Sequence, residues 1–462
     1  MIDRLMVLKH YIYYKYIRTF RSRRALECWQ RKKISAHLKY VAAHSPLYRG
    51  KISLEEYPVI DKAYMMKHFD RLNTAGIRRK DAAALAVKAE KDRDFSPKLQ
   101  ISPGPHTLKS PGKLRNPQFL RSPRLPQRKT GITVGLSSGT SGLQGLFLVS
   151  DREKNQWAGY ILARFLDRGI MGSYDTAFFM RADSNLYQAV SSKNIRFHFF
   201  DIYRSMEEHI KRLNRLKPQI LAGQPSVLLL LAEKKRRGEL EIHPRTIISI
   251  AEVLEKEDER RLKEAFELPV IHQVYQCTEG CLASTCPRGT LHLHENIVHI
   301  DREYLDKRRF IPVITDFERR TQPIIRYRLN DILVEKGTPC PCGSPFLALK
   351  KIEGREDDMF SFSGIDGQEK RVFPDFIRRC ILFAADEVIP SKWTGEYRVV
   401  QEMDGNITVY ADFKEQQKQR VLKEFTVLAR DQKFILPKVR FAPYLQEQGR
   451  KMKRIERKVP HR

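Results

Sequence analysis

From residue 131 onward the chain alternates short apolar runs with longer stretches of helical spacing, and few folds accept that rhythm. Runs at 132–136, 147–149, 219–222, 246–251 and 270–275 read as strands, whereas 152–166, 226–231 and 255–266 read as helices. Strands alternating with helices predict an α/β fold whose parallel sheets are covered on both faces. The length of 462 residues accommodates a large domain plus a small one, and 41% hydrophobic residues supply a sizeable core. No internal repeat is evident.

Two segments break the rhythm. Residues 97–129 hold seven prolines separated by serines and basic residues, which predicts a flexible or polyproline-like insert rather than a folded element. Residues 1–50 look helical, with apolar and aromatic positions on a basic background. There Tyr11, Tyr13, Tyr14 and Tyr16 with Arg21, Arg23 and Arg24 fit either a membrane-surface segment or a packing helix with a charged face, and packing is the preferred reading.

The formal charge of +30 first suggests a nucleic-acid partner. Residues 1–35, 98–129 and 445–462 carry +8, +8 and +5, however, so the excess sits in the termini and the insert rather than in the body. Nucleic-acid binding is therefore disfavoured. No apolar run reaches the roughly 18–20 residues that span a bilayer, and the N-terminus lacks the apolar core and cleavage site of a signal peptide. The expectation is a soluble cytoplasmic protein without stable membrane insertion. Seven cysteines, an odd number with no secretion signal, argue against a disulfide framework.

Four short motifs carry chemistry. Ser137-Ser138-Gly139-Thr140-Ser141-Gly142 follows an apolar strand. Its small residues let backbone N–H groups approach phosphate oxygens, although a plain Ser/Gly-rich turn would look the same, and the Gly-Lys-Ser/Thr ending of a Walker loop is missing. Tyr275-Gln276-Cys277-Thr278-Glu279-Gly280 directly follows another strand. Ligands of open α/β sheets bind beyond the carboxyl ends of strands, and a carboxylate there can hold Mg²⁺ on a triphosphate. Asp331, at the end of Arg326-Tyr327-Arg328-Leu329-Asn330-Asp331, suits ribose hydroxyls. Gly354-Arg355-Glu356-Asp357-Asp358 is the fourth. Each alone is ordinary surface; the ordered set is not.

The set resembles the adenylate-forming superfamily, specifically its branch of phenylacetate–CoA ligases and coenzyme F390 synthetases. His44-Ser45-Pro46-Leu47-Tyr48-Arg49 and Tyr57-Pro58-Val59-Ile60-Asp61-Lys62 look like that branch's N-terminal segment. The resemblance implies a large N-terminal AMP-binding domain over 1–355 and a small mobile α+β domain over 356–462. It implies that Ser137, Ser138, Gly139, Thr140, Ser141 and Gly142 embrace the ATP phosphates, that Ala251 and Glu252 lie beside the adenine, and that Tyr275 stacks near it. Thr278 would touch the α-phosphate, Glu279 bind Mg²⁺, Asp331 hold the ribose, Arg355 reach ribose or phosphate, and Asp357 form the hinge. The implied reaction is ATP-dependent adenylation of a carboxylic acid, then transfer to coenzyme A. The alternatives are AMP transfer to a hydroxyl, as in the coenzyme F390 synthetases, and a catalytically inactive binding or scaffold relative.

Two departures stand out. The family's C-terminal catalytic lysine follows a glycine directly, whereas here Arg450 separates Gly449 from Lys451. Lys451 keeps the spacing to Arg454 and is the candidate, with Lys453 or a plain basic tail as rivals. Many relatives also place a lysine where Gly145 stands. Finally, Cys286, His292, Cys340 and Cys342 supply three thiols and an imidazole, the set a structural Zn²⁺ prefers. Cys277 and Cys281 are spare thiols, and reduced buried cysteines are the alternative.

Overall fold

The computed structural model describes residues 2–92, 94, 96–101, 130–136, 145–166, 169, 172–180, 193–202, 204–386, 396–445 and 452–458. Among them, a twelve-stranded sheet runs Val298–Tyr304, Arg309–Asp316, Asp331–Glu335, Ala348–Arg355, Leu291–Leu293, Gly280–Thr285, His272–Cys277, Thr246–Ile250, Ile220–Gly223, Tyr174–Met180 and Ile195–Asp201, with Ile324–Arg328 paired beside Arg309–Asp316.

The predicted parallel arrangement holds only from His272–Cys277 to Ile195–Asp201. There, helices Met206–Leu216, Pro225–Arg236 and Lys256–Phe266 supply the long crossovers that parallel strands need. Beyond Cys277 the connections are mostly too short for a crossover, and those pairings are antiparallel. The runs near 132 and 147 also depart from expectation. Strands Thr130–Leu136 and Leu146–Ser150 pair antiparallel in a separate three-stranded sheet. Its third strand, Leu99–Ile101, lies within the stretch read as an unfolded insert, so the first residues of that stretch are structured. Residues 102–129 lie outside the described residues.

Helix Ile2–Ile12 and the π turn Tyr13–Ile17 pack on helix Asp151–Phe165. Tyr11 and Tyr14 are buried in that seam, as the packing reading expects. Gly159 permits it: a Cβ there would lie 2.6 Å from the Val7 carbonyl oxygen and from His10 Cβ. No described helix is long and apolar enough to cross a membrane.

Residues beyond Phe360 surround a core of their own, including Phe360, Ile377, Val399, Val409 and Phe425. Helices Pro374–Asp386 and Glu415–Gln432 accompany a four-stranded sheet ordered Val439–Ala442, Ile407–Ala411, Tyr397–Gln401 and Ile455–Arg457. Buried ion pairs join this part to the helix at Lys256–Phe266 and its entry. Arg378 lies 2.7 Å from Glu255, and Arg454 clasps Asp258 while its other amino group meets Glu396 at 3.0 Å.

Candidate active site and metal centre

Strands His272–Cys277 and Gly280–Thr285 form a tight hairpin in which Cys277 pairs with Gly280, so Thr278 and Glu279 make up its two-residue tip. Glu279 is buried and accepts a hydrogen bond from the Tyr327 hydroxyl at 2.9 Å. Arg319 donates to the Thr278 carbonyl oxygen at 3.2 Å. On strands Asp331–Glu335 and Ala348–Arg355, which Leu291–Leu293 separates from the hairpin in the sheet, Asp331 sits opposite Arg355 in register. The Tyr275 hydroxyl donates to one Asp331 oxygen, and Arg355 Nε lies 3.7 Å from the other. Burial, reinforced by Asp331, holds the Tyr275 phenol well above its ordinary range, so it stays a donor. Asn330 donates to Asp357, which places the expected hinge residue next to this group.

Ala251, just past strand Thr246–Ile250, has φ of 66°, a left-handed conformation that costs a residue with a Cβ about 1–2 kcal/mol. The adjacent Glu252 carboxylate accepts hydrogen bonds from the backbone and hydroxyl of Ser226 at the start of helix Pro225–Arg236, and from the Met452 backbone N–H at 3.0 Å. The structure thus brings Tyr275, Asp331 and Arg355 into one cluster and ties Glu252 to the C-terminal segment. Ser137, Ser138, Gly139, Thr140, Ser141, Gly142 and Lys451 lie outside the described residues. Lys453, the rival to Lys451, forms an ion pair at 2.6 Å with buried Asp358, whose carboxyl burial pushes up to about 6 against the pull of the ammonium.

Several contributors have no counterpart in the motif reading. A Cβ on Gly145 would stand 3.5 Å from Lys62 Cδ, so the N-terminal segment brings a lysine side chain beside that position. Glu153 accepts from the Ser150 backbone, the Arg320 and Thr321 backbones and the Thr321 hydroxyl. Gln322 receives the Leu148 N–H and donates to the Leu146 carbonyl, so the stretch after Asp316 braces the strand that follows the Ser/Thr/Gly loop. The Ser150-x-x-Glu153 capping box was the readable signal for Glu153; Lys62 closes the Tyr57–Lys62 segment but nothing there places it beside Gly145, and nothing local signals Gln322.

At the opposite end of the hairpin, Cys286, His292, Cys340 and Cys342 bring four ligand atoms within 4.8 Å of one another. Cys286 and Cys340 sulfurs are 3.8 Å apart, and the Cys342 sulfur is 3.4 Å from His292 Nε2. Sulfurs at about 2.3 Å from a tetrahedral Zn²⁺ stand about 3.8 Å from each other, so the set fits that ion. His292 Nδ1 donates to the Phe346 carbonyl at 3.0 Å, leaving the Nε2 lone pair toward the thiols. Burial opposes ionisation of Cys340, but hydrogen bonds from the Thr290 side chain and the Cys342 backbone help to outweigh it and hold the thiol low. The spare thiols differ. Burial raises Cys277 far above its ordinary range with Glu279 adding to it, and pushes Cys281 up to about 12. Neither belongs to the ligand group.

No protein-family model matches the chain. Protein CapK of Staphylococcus aureus is 25% identical over 211 residues, 45% of this chain and 44% of that protein. Indoleacetate–lysine synthetase of Pseudomonas savastanoi is 29% identical over 174 residues, 36% of this chain and 40% of that one. The chain thus spans less than half the length of these curated relatives. Among solved structures, 2-hydroxyisobutyryl-CoA ligase in a postadenylation state superposes with a TM-score of 0.63 at 15% identity, over 92% of this chain and 88% of that one. The same ligase in its thioesterification state, with 2-HIB-AMP and CoA, scores 0.51 at 16% identity, over 93% and 89%. The fold of this chain is that of an adenylate-forming ligase.

Proposed function

We propose that this chain is an ATP-dependent ligase of the phenylacetate–CoA ligase and coenzyme F390 synthetase branch, which adenylates a carboxylic acid and passes the acyl group to coenzyme A. The observation that carries the reading is the convergence of Tyr275, Asp331 and Arg355, with Tyr275 on the same hairpin whose tip carries the buried Glu279. In this reading the two oxygens of Asp331 retain acceptor capacity for ribose hydroxyls beyond the Tyr275 bond. Arg355 faces the ribose or α-phosphate, and Ala251 with Glu252 borders the adenine. Thr278 presents its hydroxyl to the α-phosphate. Glu279 holds Mg²⁺, which when bound neutralises phosphate charge. The loop Ser137–Gly142 cradles the outer phosphates with backbone donors.

The chemistry requires the substrate carboxylate oxygen to attack the α-phosphorus while the bond to the bridging oxygen breaks and pyrophosphate leaves. Two anions must meet, so cations decide the rate. Lys451 is the proposed lysine for the transferring oxygen, a choice over Lys453 that is supported by the engagement of Lys453 with Asp358. Lys62 supplies the phosphate contact that Gly145 cannot. The part beyond 355 acts as a separate domain, and Asp357 as its hinge. Rotation there would break the Arg378 and Arg454 ion pairs and present another face for thiol attack on the acyl carbon, with AMP leaving. The higher similarity to a postadenylation state supports the adenylating arrangement for the conformation seen here. Zn²⁺ at the four-residue knuckle is structural.

A second acceptor deserves a test, because one curated relative is named indoleacetate–lysine synthetase. ATP–pyrophosphate exchange screened across aryl, fatty and amino acids tests adenylation. Exchange that requires an acid and vanishes in Glu279→Gln supports the reading, and no exchange with any acid overturns it. Product analysis with coenzyme A or lysine then separates thioester from amide formation.

A further inference from the structure

The N-terminal helix is apolar on both of its sides. Val7, Tyr11 and Tyr14 face helix Asp151–Phe165, yet Leu5, Ile12, Tyr16 and Ile17 remain 60%, 41%, 63% and 59% exposed. Leu5, Lys9, Ile12 and Tyr16 recur at the four- and three-residue intervals that align side chains along one helix face. The π turn Tyr13–Ile17 widens the last turn, and both Tyr16 and Ile17 point outward from it. Large apolar side chains in a contiguous exposed row mark a contact surface, whereas single exposed ones do not.

Charge identifies the partner. Between residues 4 and 26 there are seven Lys or Arg and no Asp or Glu. Arg4, Lys9, Arg21 and Arg24 are exposed, and among the described residues none of them pairs with a carboxylate. An exposed helix face that carries large apolar side chains together with unpaired basic ones suits the interface of an anionic bilayer, and Tyr16 lies on it. Tyrosine at such a face places its ring in the acyl boundary and its hydroxyl among headgroups.

We propose that this face docks the protein on an anionic lipid bilayer. Leu5, Ile12, Tyr16 and Ile17 enter the interface, and Arg4, Lys9, Arg21 and Arg24 meet lipid phosphates. The proposal stands independently of the ligase reading, because it uses none of the nucleotide-site residues.

Co-sedimentation of the full chain with vesicles tests it, using phosphatidylcholine alone against phosphatidylcholine mixed with phosphatidylglycerol. The expected result is binding to the anionic vesicles that falls steeply with salt and is about tenfold weaker in Leu5→Glu/Ile12→Glu. A charge variant, Lys9→Glu/Arg21→Glu, leaves the apolar row intact and guards against misfolding of the first; about tenfold weaker binding is expected there as well. An unchanged melting temperature keeps either comparison valid. Equal sedimentation of wild type and both variants would assign lipid binding to the basic segments elsewhere and overturn the proposal. So would absence of binding at physiological salt, or a change of oligomeric state in Leu5→Glu/Ile12→Glu, which would make the face a protein interface.

Discussion

The hairpin of strands His272–Cys277 and Gly280–Thr285 ends in two ways. Its tip, Thr278-Glu279, is surrounded by groups that hold one another by hydrogen bonds, Tyr327 on Glu279 and Tyr275 on Asp331. Its other end runs into Cys286 and the thiol–imidazole knuckle, where four ligand atoms converge on one point. Backbone conformation separates them further. Among the described residues, positive φ falls near the tip on Ala251 and Arg326, both with a Cβ, and on Gly354 beside Arg355, whereas near the knuckle it falls on Gly289 and Gly343. Strain is tolerated at the end read as catalytic and avoided at the end read as structural. The two ends should accordingly fail differently: damage at the tip removes activity from a folded protein, and damage at the knuckle removes the fold.

The largest effect is expected from Glu279→Gln. The amide keeps an oxygen for the Tyr327 hydroxyl, so the fold survives, while the charge for the cation is lost. Pyrophosphate exchange should fall about 10²–10³-fold with an unchanged melting temperature. A fall in melting temperature as large as that of a knuckle variant would erase the distinction between the ends. Cys342→Ser is the reciprocal test. It should lower stability by about 3 kcal/mol and release zinc from a protein that otherwise carries one equivalent, measured by elemental analysis and urea unfolding. An unmetallated wild type of equal stability would refute the knuckle. Lys62→Met should follow, with exchange reduced about 10–100-fold and most of the loss in the apparent affinity for ATP. A loss confined to stability would mean that Lys62 only packs against Gly145.

A pH response should also belong to the tip. Asp316, beside Gly280, is buried and its carboxyl is pushed up to about 7 by that burial, against the pull of Arg319. An unfolded chain releases this proton near pH 4, whereas the folded chain keeps it to about 7. Through this group, stability falls as pH rises from about 4 to about 7. Asp316→Asn keeps the oxygen that accepts from the Glu318 and Arg319 backbones. It should flatten that slope and add roughly 1–2 kcal/mol at pH 8 relative to wild type, less than full linkage because relaxation softens a buried charge. Urea midpoints at pH 5 and pH 8 measure it.

What the sequence disclosed follows from how local each signal is. Strand and helix patterning near 219–275 was legible because each element buries a face set by its own spacing. The parallel arrangement was over-read beyond Cys277, since pattern does not report connection length. Glu279, Asp331 and Arg355 stood out because each sits in a contiguous motif. Cys286 lies 54 residues before Cys340 in sequence, and their convergence was readable because thiols are rare. Lys62 beside Gly145, Gln322 under Leu148 and Arg378 on Glu255 join distant segments through common residue types, and no local pattern marks such pairs.

The smallest expected effect bears most directly on why the ends differ. Ala251 holds φ of 66° immediately after strand Thr246–Ile250, with Glu252 next to it anchoring both Ser226 and Met452. Glycine adopts that conformation without the clash between Cβ and carbonyl oxygen, but it also gives the unfolded chain more freedom. The balance favours Ala251→Gly by about 0.5–1 kcal/mol, a rise of a few degrees or less in the melting temperature of a protein this size. If the strain serves only the turn, the affinity for ATP stays as it was. If the stiff alanine backbone fixes the edge of the adenine site, the more stable variant binds ATP more weakly. A variant that is both less stable and unchanged in ATP affinity would show that the left-handed residue carries no strain worth relieving, and the contrast with Gly289 and Gly343 at the knuckle would lose its meaning.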